Sequence, residues 1–325
     1  MECPFCTASV PEDDLFCEVC GKPVHSAVQP GGAETGCSCG APPDEIDEDG
    51  YCGRCGKLAR RPASDHIEMV LSPDFAGVSD RGLLHQRNED RFAIRQVGAG
   101  YVLVVCDGVS SSRQSELASS TAAEHIANTL EASLRRHSAS SPERSVRAAI
   151  LDAQERLSAE ETEGDWEGPP STTVVAALVN GTDAAIGWAG DSRAYWIGEG
   201  ETRQLTMDHS WVNDVVAAGA MTADEAANAP EAHGITRWLG ADAGEYAEPE
   251  IIHFSFPGPG CLLLCTDGLW NYAAQPELPG TNAIDMARSL VDFANAQGGH
   301  DNITAVVLRV GGQASACEEP VNHAE

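Results

Sequence analysis

Positive charge is scarce in this chain of 325 residues: 20 lysines and arginines stand against 50 aspartates and glutamates, for a formal net charge of −30. Such a balance repels phosphate backbones and anionic lipid, which argues against nucleic acid and membrane surfaces as partners. Long apolar runs are also missing, and nothing approaches the roughly 20 residues that a bilayer-spanning helix needs. The opening residues, Met1-Glu2-Cys3-Pro4-Phe5-Cys6, lack the basic start and apolar stretch of a secretory signal. The expected compartment is therefore the cytoplasm, where thiols stay reduced. Large apolar residues are few between positions 31 and 50, a stretch rich in Gly, Pro, Asp and Glu that cannot pack a core without help.

The chain does have apolar material, 42% hydrophobic residues in all, which with its length suits two domains. From about Asp65 short apolar runs suited to strands recur, over 91–97, 101–106, 173–179, 184–197, 261–265 and 303–310. Three helix-like stretches lie between them, at 113–136, 143–161 and 282–297. In the first, Leu117, Ala118, Thr121, Ala122, His125, Ile126, Thr129, Leu130 and Leu134 mark one face at helical spacing. Two long helices fall together, with strands clustered before and after, which is an α+β arrangement of layered sheets and not a doubly wound fold. The expected organisation is a cysteine-rich module over 1–57, a linker over 58–66, a main domain over 67–311, and a polar, disordered tail over 312–325.

Eight of the twelve cysteines fall in the first 55 residues. Cys3-x-x-Cys6 and Cys17-x-x-Cys20-Gly21 form paired knuckles, and two such turns complete a tetrahedral S4 zinc site. A second set follows, Cys37-Ser38-Cys39-Gly40 and Cys52-Gly53-Arg54-Cys55-Gly56, in which the first pair is separated by one residue instead of two. The segment resembles tandem zinc ribbons, which implies one or two Zn²⁺ ions substituting for the missing core. A disulfide cluster is the competing reading, and the absent signal disfavours it. Acidic residues greatly outnumber the lone Lys22 through Asp49, so the ribbons are expected to contact protein or regulate the main domain.

The acidity of the main domain has two explanations: solubility, or carboxylates gathered where they hold cations. Their placement favours the second. Asn88-Glu89-Asp90 precedes a strand run, Asp107-Gly108 ends one, Gly190-Asp191-Ser192-Arg193 and Thr266-Asp267-Gly268 follow two more, and Gly299-His300-Asp301-Asn302 introduces the last. An Asp-Gly after a strand is usually only a turn. Five such sites, however, would bring mutually repelling aspartates to one sheet edge unless cations neutralised them. Hard oxygen ligands point to Mg²⁺ or Mn²⁺ there.

In order and spacing these pieces resemble the metal-dependent protein serine/threonine phosphatases of type 2C, from about Phe75 to Val310. The likeness is carried by Arg87-Asn88-Glu89-Asp90, Val105-Cys106-Asp107-Gly108, Ser171-Thr172-Thr173, Trp188-Ala189-Gly190-Asp191-Ser192-Arg193, Asp208-His209-Ser210, Ile235-Thr236-Arg237, Cys265-Thr266-Asp267-Gly268-Leu269-Trp270 and Asp301-Asn302-Ile303-Thr304. The resemblance implies a four-layer α-β-β-α sandwich and a site holding two or three Mn²⁺ or Mg²⁺ ions. Asp107 matches the carboxylate that bridges two ions, and Gly108 offers its carbonyl to one. Asp267 and Asp301 match ligands of the first ion, Glu89 and Asp90 hold the second largely through waters, and Asp191 with Asp267 can hold a third. Asn302 matches a supporting residue. The implied reaction is in-line attack on phosphoserine or phosphothreonine by a hydroxide bridging the two ions, on protein substrates of a cognate kinase in a signalling role.

Two departures from the family pattern bear on detail. Many members carry a phosphate-binding arginine four residues before the glutamate of the Glu-Asp pair, where this chain has His85. Arg87 is the preferred substitute because guanidinium is always charged and can grip two oxygens, with His85 able to share the task. Some members also have a histidine after the bridging Asp-Gly. Here Val109 stands in its place, so a metal-bound water is expected to be the acid. The stretch 209–239 resembles the family's mobile flap, with helix-like pieces at 211–218 and 222–228. The alternatives kept beside this reading are a catalytically silent phosphoprotein-binding scaffold of the same fold and a hydrolase of small phosphate esters.

Overall fold

A computed structural model describes residues 37, 39–46, 50, 52–57, 63–112, 114–136, 141–159 and 169–311. Cys3, Cys6, Cys17 and Cys20, positions 58–62 of the expected linker and the 312–325 tail lie outside the described residues. The chain divides into two compact units, Met1–Ala63 and Ser64–Glu325.

In the smaller unit the described residues form two knuckle-like turns around sulfur. Gly40 N–H donates to the Cys37 carbonyl at 2.8 Å, and Gly56 N–H donates to the Cys52 carbonyl at 2.8 Å. The first closure spans one residue fewer than the second, which is how the shorter Cys37-Ser38-Cys39 spacing is accommodated. Ile46 bridges Cys52 in an antiparallel pairing, and the Arg54 guanidinium grips the Glu45 carboxylate at 3.0 and 2.6 Å. Among its described residues Cys37, Ala41 and Cys52 pack together as a small buried apolar cluster.

The described residues of the larger unit form thirteen strands: β1 His66–Ser72, β2 Phe75–Asp80, β3 Arg91–Val97, β4 Gly100–Cys106, β5 Ser171–Thr172, β6 Val174–Asn180, β7 Asp183–Ala189, β8 Arg193–Gly198, β9 Glu201–Gln204, β10 Leu239–Gly240, β11 Glu250–Ser255, β12 Gly260–Cys265 and β13 Ile303–Val310. Its helices are α1 Ser115–Arg135, α2 Pro142–Ala159, α3 Trp211–Ala217, α4 Ala223–Ala227, α5 Asp267–Trp270 and α6 Ala283–Ala296. One sheet runs β1-β2-β13-β12-β8-β9 and the other β11-β7-β6-β4-β3, with β5 and β10 paired separately. All the strand pairings are antiparallel.

Three apolar layers hold these elements together. Phe75, Ile94, Leu103, Ile186, Leu262 and Val306 fill the space between the two sheets. Ala122, Ile126, Leu130, Ala149 and Ile150 seat α1 and α2 on the outer face of the five-stranded sheet. Met286, Leu290 and Val291 seat α6 on the six-stranded one. Each fully buried Leu or Ile contributes about 1.5–3 kcal/mol. The result is the expected four-layer α-β-β-α sandwich.

The buried stripe of α1 runs through Ala118, Ala122, Ile126 and Leu130, successive residues four apart that the helical repeat puts on one face. It is rotated from the face read in the sequence. Leu117 is exposed, and His125 faces α2, where Nε2 meets Asp152 at 2.7 Å. The run 184–197 is two strands, not one. It breaks at Gly190, whose φ of +115° lies outside the range of an ordinary residue, and β7 and β8 then belong to different sheets.

Candidate active site

Strand register decides which residues meet. In one sheet Cys265 lies opposite both Arg193 and Ala305, so the end of β12 and the starts of β8 and β13 are side by side. In the other, Arg91 lies opposite Cys106, and Val174 opposite Ala189, which aligns the start of β3 with the ends of β4 and β7. Asp90, Asp107, Asp191, Asp267 and Asp301 each occupy the residue or the second residue beyond one of these ends. Both sheets thus deliver acids to one rim of the sandwich.

The acids feel one another strongly. Burial pushes Asp107 well above the usual carboxylate range, and the charges of Asp90, Asp267, Asp191 and Asp301 push it further. Burial likewise raises Asp90 to about 8, against the opposing donors Thr304 and Thr266, with Asp301 and Asp267 adding repulsion. Asp191 is raised to about 8 by burial and then by Asp267 and Asp208. Asp267 is raised to about 6 by burial and Asp301, offset by a hydrogen bond with Asp107. Two carboxyls in hydrogen-bond contact need a proton between them or a cation in its place.

The surrounding chain holds these groups in place. The Asp107 carbonyl accepts the Thr173 N–H at 2.8 Å and the Thr172 hydroxyl at 2.8 Å, and Gly108 bridges Thr172. Asn302, 3% exposed, takes the Glu89 N–H on Oδ1 and donates from Nδ2 to the carbonyls of Arg81 and Arg87, all at 2.7–2.9 Å. Glu89 is held by hydroxyls, Oε1 by Ser115 at 2.6 Å and Oε2 by Ser110 at 2.7 Å. Gly268 fits so closely under the loop before β13 that a Cβ there would lie 2.0 Å from the Asn302 carbonyl oxygen.

Of the two residues considered for phosphate, His85 is the one at the acidic cluster, its Nε2 3.2 Å from Asp301 Oδ1. The Arg87 side chain is 65% exposed and faces Glu116 of α1 at 3.4 Å. The preference for Arg87 drawn from charge alone therefore meets a geometry that favours His85. Arg193, which the motif contained without a role, grips Asp208 with two nitrogens at 2.8 and 2.6 Å and lies 3.5 Å over the Trp270 ring. Trp270 Nε1 in turn donates to the Asp191 carbonyl at 2.9 Å. At the base of the 209–239 segment, His209 accepts the Gly190 N–H on Nδ1 at 3.2 Å, and its own N–H returns to the Gly190 carbonyl at 3.0 Å. Besides Arg193, sequence reasoning left without a role the hydroxyls of Thr266, Thr304, Ser79, Ser110 and Ser115. Thr266 and Thr304 lie inside the acidic motifs, and Ser79, Ser110 and Ser115 lie outside them.

The donor set fits hard divalent cations. It is all oxygen, it is mutually repelling, and Asp90 Oδ1 is a buried carboxylate oxygen with no hydrogen-bond partner. The thiols of the smaller unit make a tighter set: Cys37, Cys39, Cys52 and Cys55 put four sulfurs all within 4.8 Å of one another. Among the described residues no other group of three or more His, Cys, Asp or Glu meets so closely. The Cys39 N–H, 3.5 Å from the Cys37 sulfur, helps hold that thiol down to about 6.

An acidic rim of this kind, set at one end of a two-sheet sandwich, suits metal-assisted hydrolysis of phosphate esters. The chain belongs to the protein phosphatase 2C family, whose sequence profile matches residues 84–306. It is 28% identical over 239 residues to a serine/threonine phosphatase, stp, of Listeria welshimeri, covering 71% of this chain and 93% of that one. The crystal structure of the serine/threonine phosphatase Stp1 from Staphylococcus aureus superposes with a TM-score of 0.64 at 29% identity, covering 76% of this chain and 98% of that one. The catalytic domain of the phosphatase PstP in complex with two manganese ions superposes with a TM-score of 0.59 at 27% identity, covering 76% of this chain and 100% of that one.

Proposed function

We propose that this chain removes phosphate from phosphoserine and phosphothreonine in proteins, with Mn²⁺ or Mg²⁺ as cofactor. The observation that carries the reading is the meeting of Asp90, Asp107, Asp191, Asp267 and Asp301 at one rim, where burial and mutual repulsion raise the pKa values of Asp90, Asp107, Asp191 and Asp267. Asp107, Asp267 and Asp301, with Glu89, Asp90, Asp191 and the Gly108 carbonyl, would hold the cations. Divalent cations bound there supply hydroxide near neutral pH and stabilise the charge that gathers on the phosphoryl oxygens.

The chain's own residues do the rest. Asn302 fixes the 81–89 loop, and that loop presents His85 beside Asp301, in position to donate to a phosphoryl oxygen. Val109 leaves no side-chain acid after Asp107-Gly108, so water protonates the departing alkoxide. Cys106 and Cys265 are buried and their thiols pushed up by burial, which makes them poor nucleophiles. Nothing favours a silent scaffold over an active enzyme. The test is turnover of p-nitrophenyl phosphate with Mn²⁺ and with chelator. Turnover only with Mn²⁺ supports the enzyme, and no turnover under either condition sinks it. Faster hydrolysis of small metabolite esters than of phosphopeptides would move the substrate class.

The Cys37, Cys39, Cys52 and Cys55 cluster we assign to one Zn²⁺, since four converging thiols with one held at a low pKa suit a soft, tetrahedral ion. A second Zn²⁺ on Cys3, Cys6, Cys17 and Cys20 belongs to the same reading. Elemental analysis checks both. The full chain should carry two zinc equivalents, and Cys52→Ser should carry one. Phosphoproteins made by a serine/threonine kinase in the cytoplasm are the substrates this function requires. No helix among the described residues is long and apolar enough to cross a membrane.

A further inference from the structure

We infer that Thr266 and Thr304 are positioning residues, the last links of a hydroxyl relay that leaves one oxygen of Asp90 free for the cations and locks the other. The relay begins at Asn88, whose Nδ2 donates to Ser79 Oγ at 2.9 Å. Ser79 Oγ lies 2.8 Å from Thr304 Oγ1, and Thr304 Oγ1 lies 2.7 Å from Asp90 Oδ2. A hydroxyl has one hydrogen, and a carboxylate oxygen only accepts. The Thr304 hydrogen therefore goes to Asp90, the charged acceptor, in preference to Ser79, the other acceptor within its reach. Thr266 makes the second contact, 2.8 Å from the same Oδ2, while its oxygen accepts the Thr304 N–H at 3.0 Å. The ring closes where the Asp90 N–H returns to Asn88 Oδ1 at 3.2 Å.

All of these groups are buried, with Ser79, Asp90, Thr266 and Thr304 at 0% exposure and Asn88 at 2%. Asp90 Oδ2 takes two donors from different parts of the fold, Thr304 of β13 and Thr266 at the N-cap of α5. Asp90 Oδ1 has no partner. A buried carboxylate oxygen without a donor is costly to leave unpaired, so its natural occupant is a cation or the water a cation carries. Glu89 is the contrast, since Ser115 and Ser110 take one oxygen each. Two adjacent acids are thereby held in different ways.

The inference rests on the proposed cation chemistry, and Mn²⁺ titration calorimetry on the full chain, stripped of hard cations, separates the two. Thr304→Val and Thr266→Val keep shape but lose the hydroxyl, and each should weaken Mn²⁺ affinity about 10–100-fold, the usual effect of losing a group that orients a ligand. Thr304→Ser keeps the hydroxyl and should restore affinity. The Mn²⁺ concentration for half-maximal turnover should shift in parallel, while turnover at saturating Mn²⁺ recovers toward that of the parent. Should Thr304→Val fail to fold, Thr266→Val, which removes the other donor to the same oxygen, carries the same expectation. Parent-like Mn²⁺ affinity in the variants, with the parent itself binding, overturns the relay alone. A parent chain that takes up no Mn²⁺ overturns the cation reading beneath it.

Discussion

Asn302 Oδ1 accepts the backbone N–H of Glu89 at 2.7 Å, so the residue after Asp301 fixes the residue before Asp90. Its Nδ2 reaches the carbonyls of Arg81 and Arg87. One buried amide therefore sets the geometry of a loop supplying three of the site's groups. Asn302→Leu strands three backbone groups and should destabilise the domain by about 3 kcal/mol. Urea unfolding reads that loss, and kcat/KM should fall further than stability explains because Glu89 and His85 lose their register.

His85 and Arg87 divide by direction. His85→Ala should raise KM for a phosphopeptide about tenfold with a smaller change in kcat, as expected for a contact shared by bound substrate and transition state. Arg87→Ala, facing Glu116, should change KM about twofold or less. Steady-state kinetics on both variants reads the split, and the reverse order would return the phosphate contact to Arg87.

Gly268 has no space for a side chain against the Asn302 carbonyl. Gly268→Ala should separate α5 from the start of β13, move Asp267 away from Asp301, and abolish detectable phosphatase activity. A circular dichroism spectrum close to that of the parent would show that the damage is local. Retained activity would mean that the Asp267–Asp301 spacing is not critical.

Much of the fold and of the acidic rim is legible in the order of residues alone. Both Asp107-Gly108 and Thr266-Asp267-Gly268 follow dense apolar runs, and a strand end is where a sheet presents side chains to a common rim. What the residues do not reveal has physical causes. β1 is mostly exposed or half-buried along its length, so its polar alternation falls into the expected linker and the start of the main domain. β2, Phe75–Asp80, is buried throughout but short and built of small residues, which leaves no period. The break at Gly190 shows only in a backbone dihedral. The choice between His85 and Arg87 depends on where two neighbouring side chains turn, and spacing does not encode that. The hydroxyls around Asp90 come from positions far apart in the chain and carry no pattern of their own.

The acidic rim also sets a pH dependence. Asp90 and Asp191 at about 8 and Asp267 at about 6 lie above their ordinary values when no cation is bound, and Asp107 is raised too. The folded state then binds protons that the unfolded chain releases near pH 4. Stability from these groups is full below about pH 4 and is lost as pH rises toward about 8. In chelator, the melting temperature should fall between pH 5 and pH 8. Saturating Mn²⁺ should remove most of that fall, because cations take the place of the protons. An equal fall with and without Mn²⁺ would separate the acids from the cations.

The central claim is that Asp107, at the meeting point of both sheets' acids, organises the cations that hydrolyse phosphate. Phosphate release from a phosphothreonine peptide, measured with saturating Mn²⁺ for the parent chain and for Asp107→Ala, tests it most directly. The account predicts Mn²⁺-stimulated release by the parent and a loss of about a thousandfold or more in the variant, the scale of removing a principal electrostatic contribution. An Asp107→Ala chain that releases phosphate at the parent's rate would contradict it.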